Sequence, residues 1–169
     1  MMGRFRRRVS RTRQGTYAIR LPGPERELLA DLVAQLRELL LVTTDDASVR
    51  RLFPAAYHDD PERDREYQQL VRDELLERRL ASLATVEATA TADELDELDE
   101  DQLTAWLTAL NDLRLVLGTR LDVSEDQDAI AEDDPMAPAM AIYGYLSVLL
   151  GDVVDALAED LPPPAEPEM

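Results

Sequence analysis

Residues 98–123 read LDEDQLTAWLTALNDLRLVLGTRLDV and contain the only tryptophan of the chain. Apolar side chains recur in this segment at steps of three and four residues, the spacing that lines one face of an α-helix. The members of this apolar stripe are Leu103, Trp106, Leu107, Leu110, Leu113, Leu117 and Leu121. The pattern predicts a core helix.

Arg114 falls inside the apolar stripe of this helix when the segment is projected at about 100° per residue. A buried charge without a partner costs several kcal/mol, so the guanidinium needs a carboxylate. An antiparallel pairing with the preceding helix places Arg114 beside residues 73–77, where Asp73 and Glu77 are the candidate partners. We therefore predict a buried ion pair between Arg114 and one of them. The less favoured alternative is that Asn111 and Arg114 together bind an anionic ligand.

Four further helices are indicated on either side of this segment. Prolines and aspartates that favour helix starts place them at about 24–43, 46–52, 60–91 and 135–161. Before them, apolar residues alternate with arginines in two short runs around Gly15, which is typical of two half-buried strands. The predicted fold is all-α, a bundle of four main helices plus one short helix, with a small N-terminal two-stranded β-ribbon. We expect a basic arm at 1–21, a helical bundle at 22–161 and a disordered proline-rich tail at 162–169.

Charge is distributed unevenly along the chain. Residues 1–20 hold seven arginines and no acidic residue, whereas residues 21–169 hold 11 arginines against 36 acidic residues, a formal charge of minus 25. The arm has three readings: phosphate contacts with nucleic acid, docking on an acidic protein surface that includes this chain's own body, or a solvated edge strand. Under the first reading the DNA-binding residues are Arg4, Arg6, Arg8, Arg11, Arg13 and Arg20.

Catalytic and metal chemistry find little support in the sequence. The chain has no cysteine, which excludes thiolate metal sites, cysteine nucleophiles and thiol redox sensing, and it has a single histidine, His58. The spacing of the ligands in a calcium-binding loop is matched only weakly, by Asp122, Ser124, Asp126, Asp128 and Asp133. Gln127 occupies the position where such a loop has glycine in its sharp turn. We expect no enzymatic activity, no cofactor and no metal.

Location and assembly follow from the hydropathy pattern. The basic start is not followed by the apolar run of a signal peptide, and the apolar run at 139–150 is shorter than the roughly 20 residues that span a bilayer. We expect a cytoplasmic protein. The last helix is apolar on two sides, which predicts that it is central to the bundle or shared with a second subunit of a homodimer.

Four segments carry a resemblance to a known family. They are GRFRRR (3–8), TYAIRL (16–21), RRLFPAAYHDDP (50–61) and, most specifically, LNDLRLVLGTRLDV (110–123). The chain resembles an actinobacterial family of helical proteins labelled a domain of unknown function, whose genes often lie beside that of the Clp protease adaptor. Some members are described as actinomycete oxidative-stress transcriptional regulators of the AosR type. Where such members sense oxidants through cysteines, this chain departs from them.

The resemblance implies a non-enzymatic transcriptional regulator of the stress-response type. Its basic arm would contact DNA, and its acidic helical faces would contact protein partners such as a sigma factor or RNA polymerase. The alternative is a protein-interaction adaptor linked to Clp proteolysis that does not bind DNA.

Overall fold

The computed structural model describes residues 7–42, 47–53, 59–94, 96–121 and 133–159. Within these ranges the chain forms five helices and a small antiparallel sheet. The elements in chain order are β1 (Val9–Arg11), β2 (Tyr17–Ile19), α1 (Gly23–Val42), α2 (Ala47–Arg50), α3 (Pro61–Ala90), β3 (Glu97–Leu98), α4 (Glu100–Arg120) and α5 (Ala137–Ala158). The predicted all-helical bundle with an N-terminal ribbon is confirmed.

Helices α3 and α4 begin at side-chain caps that the sequence encodes. Asp60 accepts a hydrogen bond from the backbone N–H of Arg63 and is followed by proline at the first helical position of α3. Asp99 and Gln102 form a reciprocal capping box at the start of α4. The start of α3 was predicted from Asp60 and Pro61, whereas α4 was located from its apolar stripe and its capping box was not predicted.

Helix α4 lies at the centre of the bundle and packs against α1, α2, α3 and α5. Trp106 is fully buried on it, and its indole N–H donates to the Thr89 hydroxyl of α3 at 2.8 Å. A buried indole therefore keeps a hydrogen-bond partner. The α3–α4 pairing is antiparallel, as predicted.

The sheet contains a third strand that the sequence analysis did not predict. Strand β2 pairs with β1 through Val9 and Ile19, and with β3 through Tyr17 and Leu98. All four of these side chains are buried. The ribbon is thus built into the hydrophobic core and is not a free arm.

Helix α5 divides into an inner and an outer side. Its inner side, which packs against α4 and β1, carries the buried residues Leu146, Leu149, Val153 and Ala156. Among the described residues, α5 is the helix that is long and apolar enough to cross a membrane by length and composition, and 22% of its most apolar window is buried. A mostly buried core helix of a soluble protein satisfies the same criterion of length and composition.

Candidate functional site

Arg8 of the predicted DNA-binding set is held by the protein's own body. Its guanidinium donates to the Glu25 carboxylate at the start of α1, with Nη2 to Oε1 at 2.9 Å, and it lies 5.3 Å from the centre of the Tyr145 ring. Its backbone N–H donates to Asp152 Oδ2 at 3.0 Å. The hydrogen bond to Glu25 raises the pKa of Arg8. Arg8 therefore anchors the ribbon on α1 and α5.

Arg7 follows the same pattern more loosely. Its guanidinium lies 3.4 Å from Glu159 and 3.8 Å from Asp155, and all three side chains are about half exposed. Pairs of this kind contribute at most about 1 kcal/mol. For Arg7 and Arg8 the geometry matches the second reading of the arm, docking on the chain's own acidic body.

Of the remaining described arginines of the set, Arg20 lies at the open end of the ribbon, opposite Arg8, and Arg11 and Arg13 lie at the turn between β1 and β2. Gly15 adopts a φ of 84° there, a conformation that glycine adopts without strain. Arg11, Arg13 and Arg20 are exposed, and the Arg20 guanidinium donates to Ser10 Oγ at 3.2 Å across the ribbon. Arg4 and Arg6 lie outside the described residues.

The predicted partners of Arg114 are wrong. Asp73 and Glu77 are exposed on α3, whereas Arg114 is half-buried and turns toward α5. Its Nε donates to Ser147 Oγ at 2.8 Å, and its guanidinium lies 5.4 Å from the centre of the Tyr143 ring. The buried face of α4 is rotated by roughly 50° from the predicted stripe, so Arg114 reaches its edge. A hydroxyl and an aromatic ring take the place of a carboxylate.

A buried ion pair does join α3 to α4, but through other residues. Arg79 donates to Asp112, whose side chain is 2% exposed. Burial raises the pKa of Asp112, and the positive charge of Arg79 opposes that rise. Asp112 lies three residues after Ala109 and four before Val116, and both of these are buried. This helical spacing indicates that Asp112 is buried too, but the predicted stripe was assigned mainly from leucines and left these positions out.

Phe53 extends this pair into a small polar cluster. The guanidinium carbons of Arg72 and Arg79 lie 5.4 and 5.8 Å from the centre of the Phe53 ring. Asp112 Oδ2 and the Nε atoms of both arginines are buried without a hydrogen-bond partner. The charges of this cluster hold α3 against α4.

An apolar cleft of about 410 Å³ opens between the C-terminal halves of α1 and α4. Leucine and valine side chains form most of its wall, and Arg120, which donates to Ser48 Oγ at 3.3 Å, stands at its polar edge. The lining residues are Leu32, Gln35, Leu36, Glu38, Leu39, Val42, Leu113, Val116, Leu117, Arg120 and Leu146. The cleft has the size of a small-molecule site. The chain that follows each of the two helices, at 43–46 and 122–132, lies outside the described residues.

The part of the chain that the structure describes holds no group of three or more histidine, cysteine or acidic side chains placed to bind a metal ion. Residues 122–132 of the calcium-loop pattern and His58 fall outside that part. Asn111 is exposed on α4 and takes no part in the contacts of Arg114 described above.

The model of a family described as a domain of unknown function, DUF2017, matches residues 2–157. The chain belongs to the DUF2017 family. Neither the curated proteins nor the solved structures include a match. The DUF2017 match runs from before β1 almost to the end of α5, so the basic ribbon and the acidic bundle are parts of one family unit.

Proposed function

We propose that this DUF2017 protein is a non-enzymatic transcriptional regulator that contacts DNA through its ribbon and protein partners through its acidic helical faces. The stress-response role and the partners, a sigma factor or RNA polymerase, come from the resemblance to AosR-type regulators. Because the chain lacks cysteine, any signal it responds to acts without thiol chemistry.

The observation that carries the DNA contact is the set of exposed arginines on the ribbon. Arg11 and Arg13 are exposed at its turn and Arg20 at its open end, while the strands are fixed in the core by Val9, Tyr17 and Ile19. A rigid ribbon presents charges without a large ordering cost, and two-stranded ribbons fit the major groove. Since residues 21–169 carry minus 25, DNA is repelled elsewhere on the protein.

The test is fluorescence anisotropy of a labelled duplex from the protein's own promoter region. The intact protein is compared with the triple variant Arg11→Gln, Arg13→Gln and Arg20→Gln. Three phosphate contacts predict a loss of affinity of about 40-fold between 50 and 200 mM salt, and the triple variant should lose most of this dependence.

A matched control removes the same charge elsewhere. Arg50, Arg65 and Arg78 are also exposed, and changing them to glutamine lowers the net charge equally. Equal weakening by both triple variants would assign binding to overall charge and defeat the ribbon contact. Absence of binding by the intact protein at micromolar concentration would overturn the DNA-binding proposal altogether.

The alternative function, a Clp-linked adaptor without DNA contact, is favoured by the pairing of Arg7 and Arg8. These contacts neutralise part of the arm and leave an acidic surface suited to protein partners. Titration calorimetry with the purified Clp adaptor tests it directly. Micromolar binding that is insensitive to the Arg11, Arg13 and Arg20 changes would support the adaptor, and no heat of binding at either 15 or 35 °C would overturn it.

A further inference from the structure

The outer side of α5 is an apolar helix face that nothing in the described chain covers. Val148 is 56% exposed on it, with Met136 (42%) and Val154 (46%) at its margins. Ala141, Gly144 and Gly151 complete the face, and a Cβ added at either glycine would meet no atom within 4 Å. These positions recur at steps of three and four, which is the spacing of a helix–helix seam.

This face is also free of charge in a chain that is 32% charged. Residues 137–151 contain no acidic or basic side chain. Charged groups begin only at its ends. Asp133 and Asp134 precede α5, and Asp152, Asp155 and Glu159 follow Gly151, the last two paired with Arg7. Because the body repels itself elsewhere, this is a surface on which two copies can approach each other.

We propose that α5 pairs with α5 of a second copy of this chain, antiparallel about a two-fold axis near Leu146. A two-fold axis brings the same face of both copies together. Gly144 then lies opposite Val148 of the second copy, and Ala141 opposite Gly151. The small side chains let the helices pack closely. The inference does not depend on whether the ribbon binds DNA.

The charges at the ends of the face select the antiparallel direction. In this register, the end that carries Asp155, Glu159 and Arg7 faces Asp133 and Asp134 of the second copy, so Arg7 offsets part of the repulsion between the facing carboxylates at each end. Asp155 faces the first turn of α5 in the second copy, which has no acidic residue of its own, although Asp134 just before it accepts from the Met136 backbone N–H at 2.8 Å. In a parallel pair, Asp133 and Asp134 of one copy would instead face Asp133 and Asp134 of the other, with no arginine between them.

A bilayer is the other surface that an apolar helix of this length suits, and the acidic ends argue against it. Asp133, Asp152, Asp155 and Glu159 flank the face, and anionic lipids repel such a border. A single helix pair is a small interface, so the expected dimer is in the micromolar range.

Engineered cysteines test the pairing sharply, because the chain has none of its own. Copies carrying Gly144→Cys are mixed with copies carrying Val148→Cys and oxidised, and the yield is compared with that of Ala141→Cys alone. The antiparallel register predicts fast mixed disulfides between the first two. It also predicts slow self-coupling of the Ala141→Cys variant, whose thiols would lie about 15 Å apart along the axis.

Sedimentation velocity at 1 to 100 µM gives the assembly state without cross-linking. The full chain should dimerise, and Val148→Glu should weaken the dimer at least tenfold, while Ala84→Glu, on an exposed position of α3, should leave it intact. A monomer at 100 µM, a dimer that ignores Val148→Glu, or fastest self-coupling of Ala141→Cys would each overturn the proposal. The proposal would also be overturned if the protein were a monomer that pellets with anionic vesicles and Val148→Glu abolished this pelleting.

Discussion

At the scale of single residues, the buried charge of this protein is Asp112. Its carboxylate sits among apolar side chains on the inner face of α4, and Arg79 supplies the described counter-charge. Because Asp112 Oδ2 and Arg79 Nε stay without hydrogen-bond partners, the pair offsets its desolvation only in part. Removing either side chain while the other remains charged should therefore lower the unfolding free energy.

Replacing Arg79 with leucine should cost about 3 to 5 kcal/mol of unfolding free energy at neutral pH, since an unpaired carboxylate is left buried. Asp112→Asn should cost less, because the amide oxygen still accepts a hydrogen bond from Arg79 and carries no charge to desolvate. Urea unfolding of the three proteins measures both values. A larger loss for Asp112→Asn than for Arg79→Leu would contradict this assignment.

The same pair predicts a pH dependence with a definite sign. The folded-state pKa of Asp112 is raised above its ordinary value of 3.8, so the fold favours the protonated carboxyl. Its stabilising contribution is complete below pH 3.8 and is lost as the pH rises through the raised folded pKa. The unfolding free energy of the natural protein relative to Asp112→Asn should therefore fall over that interval. A flat difference would contradict the raised pKa.

At the scale of elements, the packing of α4 on α5 depends on Gly118. A Cβ at this position would lie 3.1 Å from Tyr143 Cε2, closer than ordinary contacts. Arg114 covers the same ring, and Ser147, which accepts from Arg114, donates to the Tyr143 carbonyl. The glycine in the LGTR motif thus makes room for an aromatic side chain of the next helix.

Gly118→Ala should destabilise the protein by about 1 to 2 kcal/mol, although alanine is the better helix former. In a Tyr143→Leu background the ring is absent, and the same change should be neutral or stabilising. A thermal double-mutant cycle measures the difference. Equal effects in both backgrounds would mean that the ring is not what Gly118 accommodates.

The elements were predictable from the sequence to different degrees, for identifiable reasons. Asp60 with Pro61 and Asp99 with Gln102 are local chemistry, so the helix starts could be located from the sequence. The rotation of α4 depends on which of its apolar sides finds neighbours, and this is why Arg114 received the wrong partner. Strand β3 has two residues within an acidic connection, and its pairing comes from Tyr17, about 80 residues earlier. No local pattern predicts it.

At the scale of the whole molecule, the basic ribbon and the acidic bundle form one core. The charge contrast between residues 1–20 and the rest was plain in the sequence, but the docking of Arg8 on Glu25 and Asp152 depends on tertiary contacts. The ribbon also contributes three fully or nearly fully buried side chains, Val9, Tyr17 and Ile19. Removing the arm therefore removes part of the hydrophobic core.

Deletion of residues 1–20 should unfold most of the protein at 25 °C. The loss of three core side chains, each worth about 2 to 5 kcal/mol, is comparable to the whole stability of a domain. Near-ultraviolet circular dichroism of Trp106 reports the loss of packing. The Arg11, Arg13 and Arg20 glutamine variant is the control and should stay within about 1 kcal/mol of the natural protein. A folded deletion would contradict the role of the ribbon in the core.

The long-range pairing of the ribbon also determines when, during synthesis of the chain, its strands can reach their native contacts. The N-terminal strands leave the ribosome first, yet the strand that pairs with Tyr17 and the Asp152 that accepts from Arg8 emerge about 80 and 140 residues later. Helices of the nascent chain form from local contacts, while closing such long loops is slow. The first residues to be translated are thus among the last to reach their native places.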